Sequence, residues 1–344
     1  MIELLTPIWL RVLQRSSLNV DDNFFDIGGN LPLADVLFAE IAKVYGRELP
    51  SATICRAPTI RLLASMLEQP MLPRFSPYAL MKAGQEMPAV FMVHGLFGYL
   101  EFVELARHIQ TEHPIYGIQA KGADGLEEPQ DNVEDMARYY LAELKEVQPH
   151  GPYIFIGYSI GGMVALEMAR QLSEDGESIA LLVMVDTFPH SRYLAPGQRL
   201  SLLAQRTRRR ISKIKQHPPL EALSYLTRGI ERRLHLFGVY SRSSLTSETS
   251  PLAFAQTALR VMPKAYVALA HYRPRFYPGK IKFVKAAGDS FFPQDPRSVW
   301  GKLVAELEVE KVPGDHSEIV TTHFETLAPV LSRYLIEALG EKKL

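Results

Sequence analysis

The sequence predicts an α/β fold: a doubly wound, mostly parallel sheet with a helical lid, preceded by a small all-α bundle of four helices. Three observations predict it. From residue 88 onward, apolar strand runs alternate with amphipathic helical runs. Runs such as "AVFMV" and "IALLVMV" are apolar at every position, as strands are when both faces of a parallel sheet are covered. Before that, residues 1–70 show helical periodicity throughout.

The helical part reads as follows. Ile2, Leu5, Trp9, Val12 and Leu13 share one helical face. Leu33, Val36, Leu37, Ile41 and Val44 mark a second helix, with Pro32 suited to its first turn and Gly46 to its end. "PTIRLLASML" starts a last helix with Thr59 as N-cap. Residues 71–87 follow as linker; Pro70, Pro73, Pro77 and Pro88 forbid a continuous helix or a central strand there, which leaves a linker or an edge segment.

Across 88–344 the order is strand 89–93, helix "FVELARHI", strand "IYGIQA", helix "VEDMARYYLAEL", strand "YIFIG", helix "GGMVALEMARQL" and strand "IALLVMV". The alternation stops at about 188–262, where helical, basic text intervenes as the expected lid. It resumes with "KIKFVKAA", a helix around Val299 to Leu307, strand "LEVEKV" and a last helix from Phe324 to Leu339. Consecutive parallel strands of this kind imply right-handed crossovers.

Composition narrows the function classes. Acids and bases cancel to a formal charge of zero over 344 residues, so neither nucleic acid nor an anionic membrane is expected as the main partner. No apolar run approaches the roughly 20 residues that span a bilayer. A single cysteine, Cys55, excludes an internal disulfide and reads as a small buried apolar residue. The cytoplasm is the expected location. No metal is called for.

"YIFIGYSIGGMVALEMA" carries the chemistry. A strand runs into Gly157-Tyr158-Ser159-Ile160-Gly161 and then a helix, the setting that a G-x-S-x-G nucleophile elbow requires. Such a bend lifts the Ser159 hydroxyl clear of the sheet and aims the helix amides toward it. A serine needs a base, and the base an orienting acid. His316, in "VPGDHSEIV", lies on the loop between the last strand and the last helix. His94 ends an early strand and reads as shaping its loop. Two acids end strands at the same sheet edge, Asp186 and Asp289. Burial after a fully apolar strand favours Asp186, because a buried carboxylate needs a partner; Asp289, followed by Ser290, also suits a turn. For a tetrahedral oxyanion the expected donors are the backbone amides of Ile160 and of Leu96 in "HGLFG".

"IYGIQAKGADG", "GPYIFIGYSIGGMVALEMARQL" and "LLVMVDTFP" resemble the thioesterase domains of non-ribosomal peptide and polyketide synthases, along most of residues 88–344. The resemblance implies an α/β-hydrolase, with the triad acid after the strand that follows the nucleophile helix, at Asp186. It also implies release of an acyl or peptidyl chain from a phosphopantetheine thioester, by water or by an internal nucleophile. Residues 1–70 similarly resemble a carrier domain, in "DDNFFDIGG" and "APTIRLLASML". The position of that family's phosphopantetheine-bearing serine falls on Leu31, which has no hydroxyl. Either the carrier is degenerate and kept for docking or packing, or its serine was replaced to block loading. The resemblance therefore implies no cofactor on this chain. The 4'-phosphopantetheine would sit on the partner that brings the substrate, a carrier in trans or in an upstream synthase module, or the thiol would be that of a small-molecule thioester.

In the lid, Leu202, Leu203, Ile211 and Ile214 suggest an apolar stripe. Arg206, Arg208, Arg209, Arg210, Lys213 and Lys215 form a basic side, read as a solvated face or as a landing site for an anionic carrier arm. Leu236, Phe237 and Tyr240 are candidates for an acyl pocket or for plain lid core. Two other functions stay open at this point: a non-catalytic docking protein and a generic esterase of the same fold.

Overall fold

The computed structural model describes residues 1–46, 49, 53–69, 76–95, 98–123, 127–204, 207, 252–288 and 292–340. The chain begins with four helices: α1 (Ile2–Val12), α2 (Leu31–Tyr45), α3 (Thr53–Arg56) and α4 (Ile60–Leu67). Leu5, Ile8, Trp9 and Val12 bury one face of α1. Asn30 caps α2 by accepting from the Leu33 amide, and Thr59 caps α4 by accepting from the Leu62 amide. The loop "NFFDIGGN" is a packing device. Phe24 is buried edge-on against Trp9 at 5.2 Å, and its carbonyl accepts from the Gly29 amide. A Cβ on Gly29 would stand 2.4 Å from Phe24, so a glycine is required there. The side chains of Leu31 and of Cys55, which was expected to be buried, lie outside the described residues.

The α/β part comprises β1 (Tyr78–Lys82), β2 (Val90–Val93), α5 (Val103–His108), β3 (Ile115–Ile118), α6 (Val133–Val147), β4 (Tyr153–Tyr158), α7 (Ile160–Glu174) and β5 (Ile179–Val185). Further along the chain come α8 (Leu252–His271), whose first half falls within the expected lid, then β6 (Tyr277–Ala286), α9 (Arg297–Trp300), β7 (Val304–Val312) and α10 (Phe324–Leu339). The sheet order is β1-β3-β2-β4-β5-β6-β7, parallel except for β1, which pairs antiparallel with β3 at one edge. The stretch 71–87 is therefore not linker throughout. Its residues 78–82 take the edge alternative, where prolines on either side are tolerated.

Alternation along each strand divides the apolar residues into two cores. Val90 and Met92, Ile154 and Ile156, and Leu181, Val183 and Val185 join one cluster with α5 and α10. Phe91 and Val93, Tyr153 and Phe155, and Leu182 and Met184 join the other with α6 and α7. The first cluster runs on without a break into Leu5, Trp9 and Phe24 of the helical module. Arg107 of α5 reinforces that junction, donating to the Phe25 carbonyl at 3.3 Å and pairing with Asp26 at 3.3 Å.

One expected element is corrected. The helix around Val299 to Leu307 is only the short α9, and β7 already begins at Val304. In "VAELEVEKV" the apolar Leu307 and Val309 alternate with Glu306, Glu308 and Glu310 at period two, a strand pattern with one wet face. On that face Lys280 of β6 meets Glu306 and Glu308, at 2.9 and 2.5 Å. The lid is described only in part. Leu202 is buried and Leu203 is 62% exposed. Arg206, Arg208, Arg209, Arg210, Ile211, Lys213, Ile214, Lys215, Leu236, Phe237 and Tyr240 lie outside the described residues. No described helix is long and apolar enough to cross a membrane.

Candidate active site

The site grows from the C-terminal ends of β4, β5 and β7. β4 ends at Tyr158 and α7 starts at Ile160, so Ser159 alone makes the turn, with φ 56° and ψ −122°. A non-glycine residue at positive φ costs on the order of 1–3 kcal/mol and persists only where the surroundings force it. Here the force is visible. The Ser159 amide donates to the Val185 carbonyl at 3.0 Å, and α7 lies so close to β2 that a Cβ on Gly161 would stand 2.2 Å from the Val93 and His94 carbonyls. Gly162 is equally confined: a Cβ there would stand 2.0 Å from the Thr187 hydroxyl.

β5 delivers Asp186, fully buried and itself at positive φ (42°), its amide donating to the Val284 carbonyl of β6 at 2.7 Å. The loop after β7 delivers His316. His316 Nε2 lies 3.1 Å from Ser159 Oγ, and His316 Nδ1 lies 2.8 Å from Asp186 Oδ2. The structure thus brings Ser159, His316 and Asp186 into one hydrogen-bonded line, from residues far apart in sequence. Asp289, the competing acid, lies outside the described residues. The imidazole is held by its neighbours: Tyr158 Oη donates to the His316 carbonyl, and the Phe292 ring stands edge-on at 4.8 Å. Burial pushes the Tyr158 hydroxyl well above its ordinary value, so it stays a donor.

Ile160 is the first residue of α7, which places its amide at the positive end of the helix beside Ser159. Leu96 lies outside the described residues. His94 is elsewhere: its Nδ1 meets the Gly95 carbonyl at 2.5 Å and its Nε2 the Tyr140 hydroxyl at 3.1 Å. Burial drives its pKa down to about 4.

Two side chains escaped the sequence reading. Glu101 Oε1 accepts from the Gly95 amide at 2.7 Å, bracing the loop after β2. Lys285 Nζ donates to Asp186 Oδ1 at 2.7 Å. The strand register accounts for the second. In the register of β5 and β6, Val185 pairs with Val284, so the next residues, Asp186 and Lys285, fall side by side. A lysine buried on a central strand needs an acid against it. Chemically, the arrangement can take a proton from a serine hydroxyl and hold the resulting imidazolium against a carboxylate.

Comparison with known proteins agrees with this geometry. A family model described as "Thioesterase domain" matches residues 88–334, and one described as "Phosphopantetheine attachment site" matches residues 3–67. A dimodular nonribosomal peptide synthase of Bacillus subtilis (strain 168) is 37% identical over 193 residues, covering 55% of this chain and 8% of that protein. A probable nonribosomal peptide synthetase of Salinispora arenicola (strain CNS-205), CymA, is 28% identical over 342 residues, 97% of this chain and 4% of that protein. The chain thus spans a small fraction of the curated relatives it matches. A four-domain nonribosomal peptide synthetase, crystallised in its holo form with AMP and glycine, shares the fold, with a TM-score of 0.56 and 23% identity over 98% of this chain and 26% of that one. The chain belongs to the thioesterase domain family, and it joins that α/β-hydrolase domain to a helical module of the phosphopantetheine-attachment kind.

Proposed function

We propose that this chain releases an acyl or peptidyl chain from a phosphopantetheine thioester through a covalent intermediate on Ser159, in the biosynthesis of non-ribosomal peptides or polyketides. The observation that carries the proposal is the line from Ser159 Oγ through both His316 nitrogens to Asp186. In this reading His316 takes the hydroxyl proton as Oγ attacks the thioester carbonyl. Asp186 fixes the tautomer that leaves Nε2 free to accept. The Ile160 and Leu96 amides receive the oxyanion. The C–S bond then breaks, His316 returns the proton to the departing thiolate, and water or an internal nucleophile attacks the acyl-serine by the same steps.

The helical module does not fit the attachment chemistry. A phosphodiester needs a hydroxyl at the mouth of α2, where Gly28, Gly29, Asn30, Leu31 and Pro32 stand, and no serine occurs between Ser17 and Ser51. On this reading the module, residues 1–70, carries no 4'-phosphopantetheine and is kept as a packed element on the hydrolase of residues 88–344. The substrate arrives on a carrier in trans, on an upstream module, or as a small-molecule thioester; nucleic acid and membrane are not partners. A cytoplasmic place of action, consistent with the lone Cys55, belongs to the same proposal.

Steady-state turnover tests the substrate class. An acyl-pantetheine thioester is expected to be cleaved with a higher kcat/KM than the p-nitrophenyl ester of the same acid, and both activities are expected to vanish in Ser159→Ala. Preference for the oxygen ester would point instead to a generic esterase, and no turnover of either to a docking protein.

A further inference from the structure

Asp186 is shared. One oxygen, Oδ2, meets His316 Nδ1 at 2.8 Å; the other, Oδ1, accepts from Lys285 Nζ at 2.7 Å and from the Ala286 amide at 3.3 Å. The lysine is as buried as its partner, 1% exposed against 0%. Among the described residues it also meets the Ala286 carbonyl at 2.9 Å and the face of Phe188, with 5.7 Å to the ring centroid.

We propose that Lys285 is a positioning residue of the triad: its charge neutralises Asp186 and so keeps His316 in the neutral form that can act as a base. The proposal rests on the reading of Ser159, His316 and Asp186 as a catalytic triad. The argument is one of buried charge. A carboxylate cut off from water needs a cation against it. With Lys285 present, the count at Asp186 closes while the imidazole is neutral, and Nε2 keeps its lone pair toward Ser159. Without that charge, the cation left against Asp186 among the described residues is the imidazolium itself. A protonated Nε2 cannot accept the serine proton. Lys285 thereby extends the activity of the site to lower pH, at some loss of the attraction that Asp186 offers the imidazolium in the transition state.

Other charged and titratable groups face this cluster and stay constant when residue 285 alone is changed. Among the described residues they are Lys311, the register partner of Lys285 on β7; Asp315, beside His316 on its loop; Tyr158 at the end of β4; and Glu101, whose charge reaches Tyr158. A shift seen on substituting residue 285 therefore reports on residue 285.

The test uses the rate of inactivation by a fluorophosphonate probe across pH, with the intact chain. For Lys285→Met the acidic limb of the rate profile is expected to move up by about one pH unit or more, the scale of a nearby like charge removed from beside an imidazolium. Below the limb this is roughly a tenfold loss of rate per unit. Lys285→Arg, which keeps the charge, is expected to hold the wild-type limb. Lys285→Gln, which keeps a donor but no charge, is expected to follow Lys285→Met and serves in its place should the methionine variant fail to fold. A purely structural lysine would lower the melting temperature or the rate at every pH and leave the limb where it was. An unmoved limb in an uncharged variant, with wild type labelled normally, overturns this inference alone. Absence of labelling in wild type overturns the triad reading beneath it.

Discussion

Asp186 shows how far a single carboxylate can govern this site. It is buried, held at an unfavourable φ by its neighbours, and divides its two oxygens between an imidazole and an ammonium. Asp186→Asn is expected to keep the shape and lose the tautomer, lowering kcat about 10⁴-fold with little change in KM; steady-state kinetics on a thioester checks this. A fall below tenfold would mean that the acid is not orienting His316. His94 is a second residue whose protonation matters, for stability. Its folded pKa, about 4, lies below the ordinary value of 6.5, so as pH falls the unfolded chain takes up the proton first. The neutral, buried His94 thus contributes stability that is full above about 6.5 and is lost as the pH falls from there toward 4. Between pH 7 and pH 5, wild type is expected to lose about 2 kcal/mol more in chemical denaturation than His94→Gln. Equal losses would contradict the assignment.

The decisive element is the β4–Ser159–α7 elbow, and it was legible in the sequence because its constraints are local. The all-apolar strand, the G-x-S-x-G frame and the helix that follows each have a sequence signature. Gly161 is there because backbone carbonyls of β2 lie where a side chain would begin. Gly161→Ala is expected to destabilise the protein by about 1–3 kcal/mol, the scale of overpacking. It should also slow fluorophosphonate labelling, as thermal unfolding and labelling rates would show; a variant with wild-type values in both would mean that the elbow is loosely packed. Elements whose identity depends on one wet face were harder to read. The first residues of β7 read as helix in the sequence because the period-two alternation is clear only from Glu306 onward, and the ion pairs to Lys280 and Lys282 appear only once β6 lies beside it. The contact between Lys285 and Asp186 was missed for the same reason. It depends on the register between two strands separated by the whole lid, and no local pattern encodes that register.

At the scale of the whole molecule, both modules were readable from their motifs, but their joining was not. One apolar cluster runs from the sheet into the helical module, and Arg107 ties the α2-side loop to α5. That exposed pair is worth at most about 1 kcal/mol, so the shared apolar cluster holds the modules together. The "NFFDIGGN" frame has a structural use independent of any attached group, because Phe24, Gly29 and Asn30 serve packing and capping. Intact-mass analysis after incubation with coenzyme A and a phosphopantetheinyl transferase is therefore expected to show no added mass on wild type. An added phosphopantetheine would contradict the account of Leu31.

All of these expectations depend on whether the hydroxyl at the elbow forms a bond to substrate carbon. The most direct measurement is rapid-quench mass spectrometry after mixing with an acyl-pantetheine thioester. The account predicts an acyl adduct confined to the peptide bearing Ser159, absent from Ser159→Ala. Turnover of the thioester with no adduct at any time, or an adduct that persists in Ser159→Ala, would contradict it.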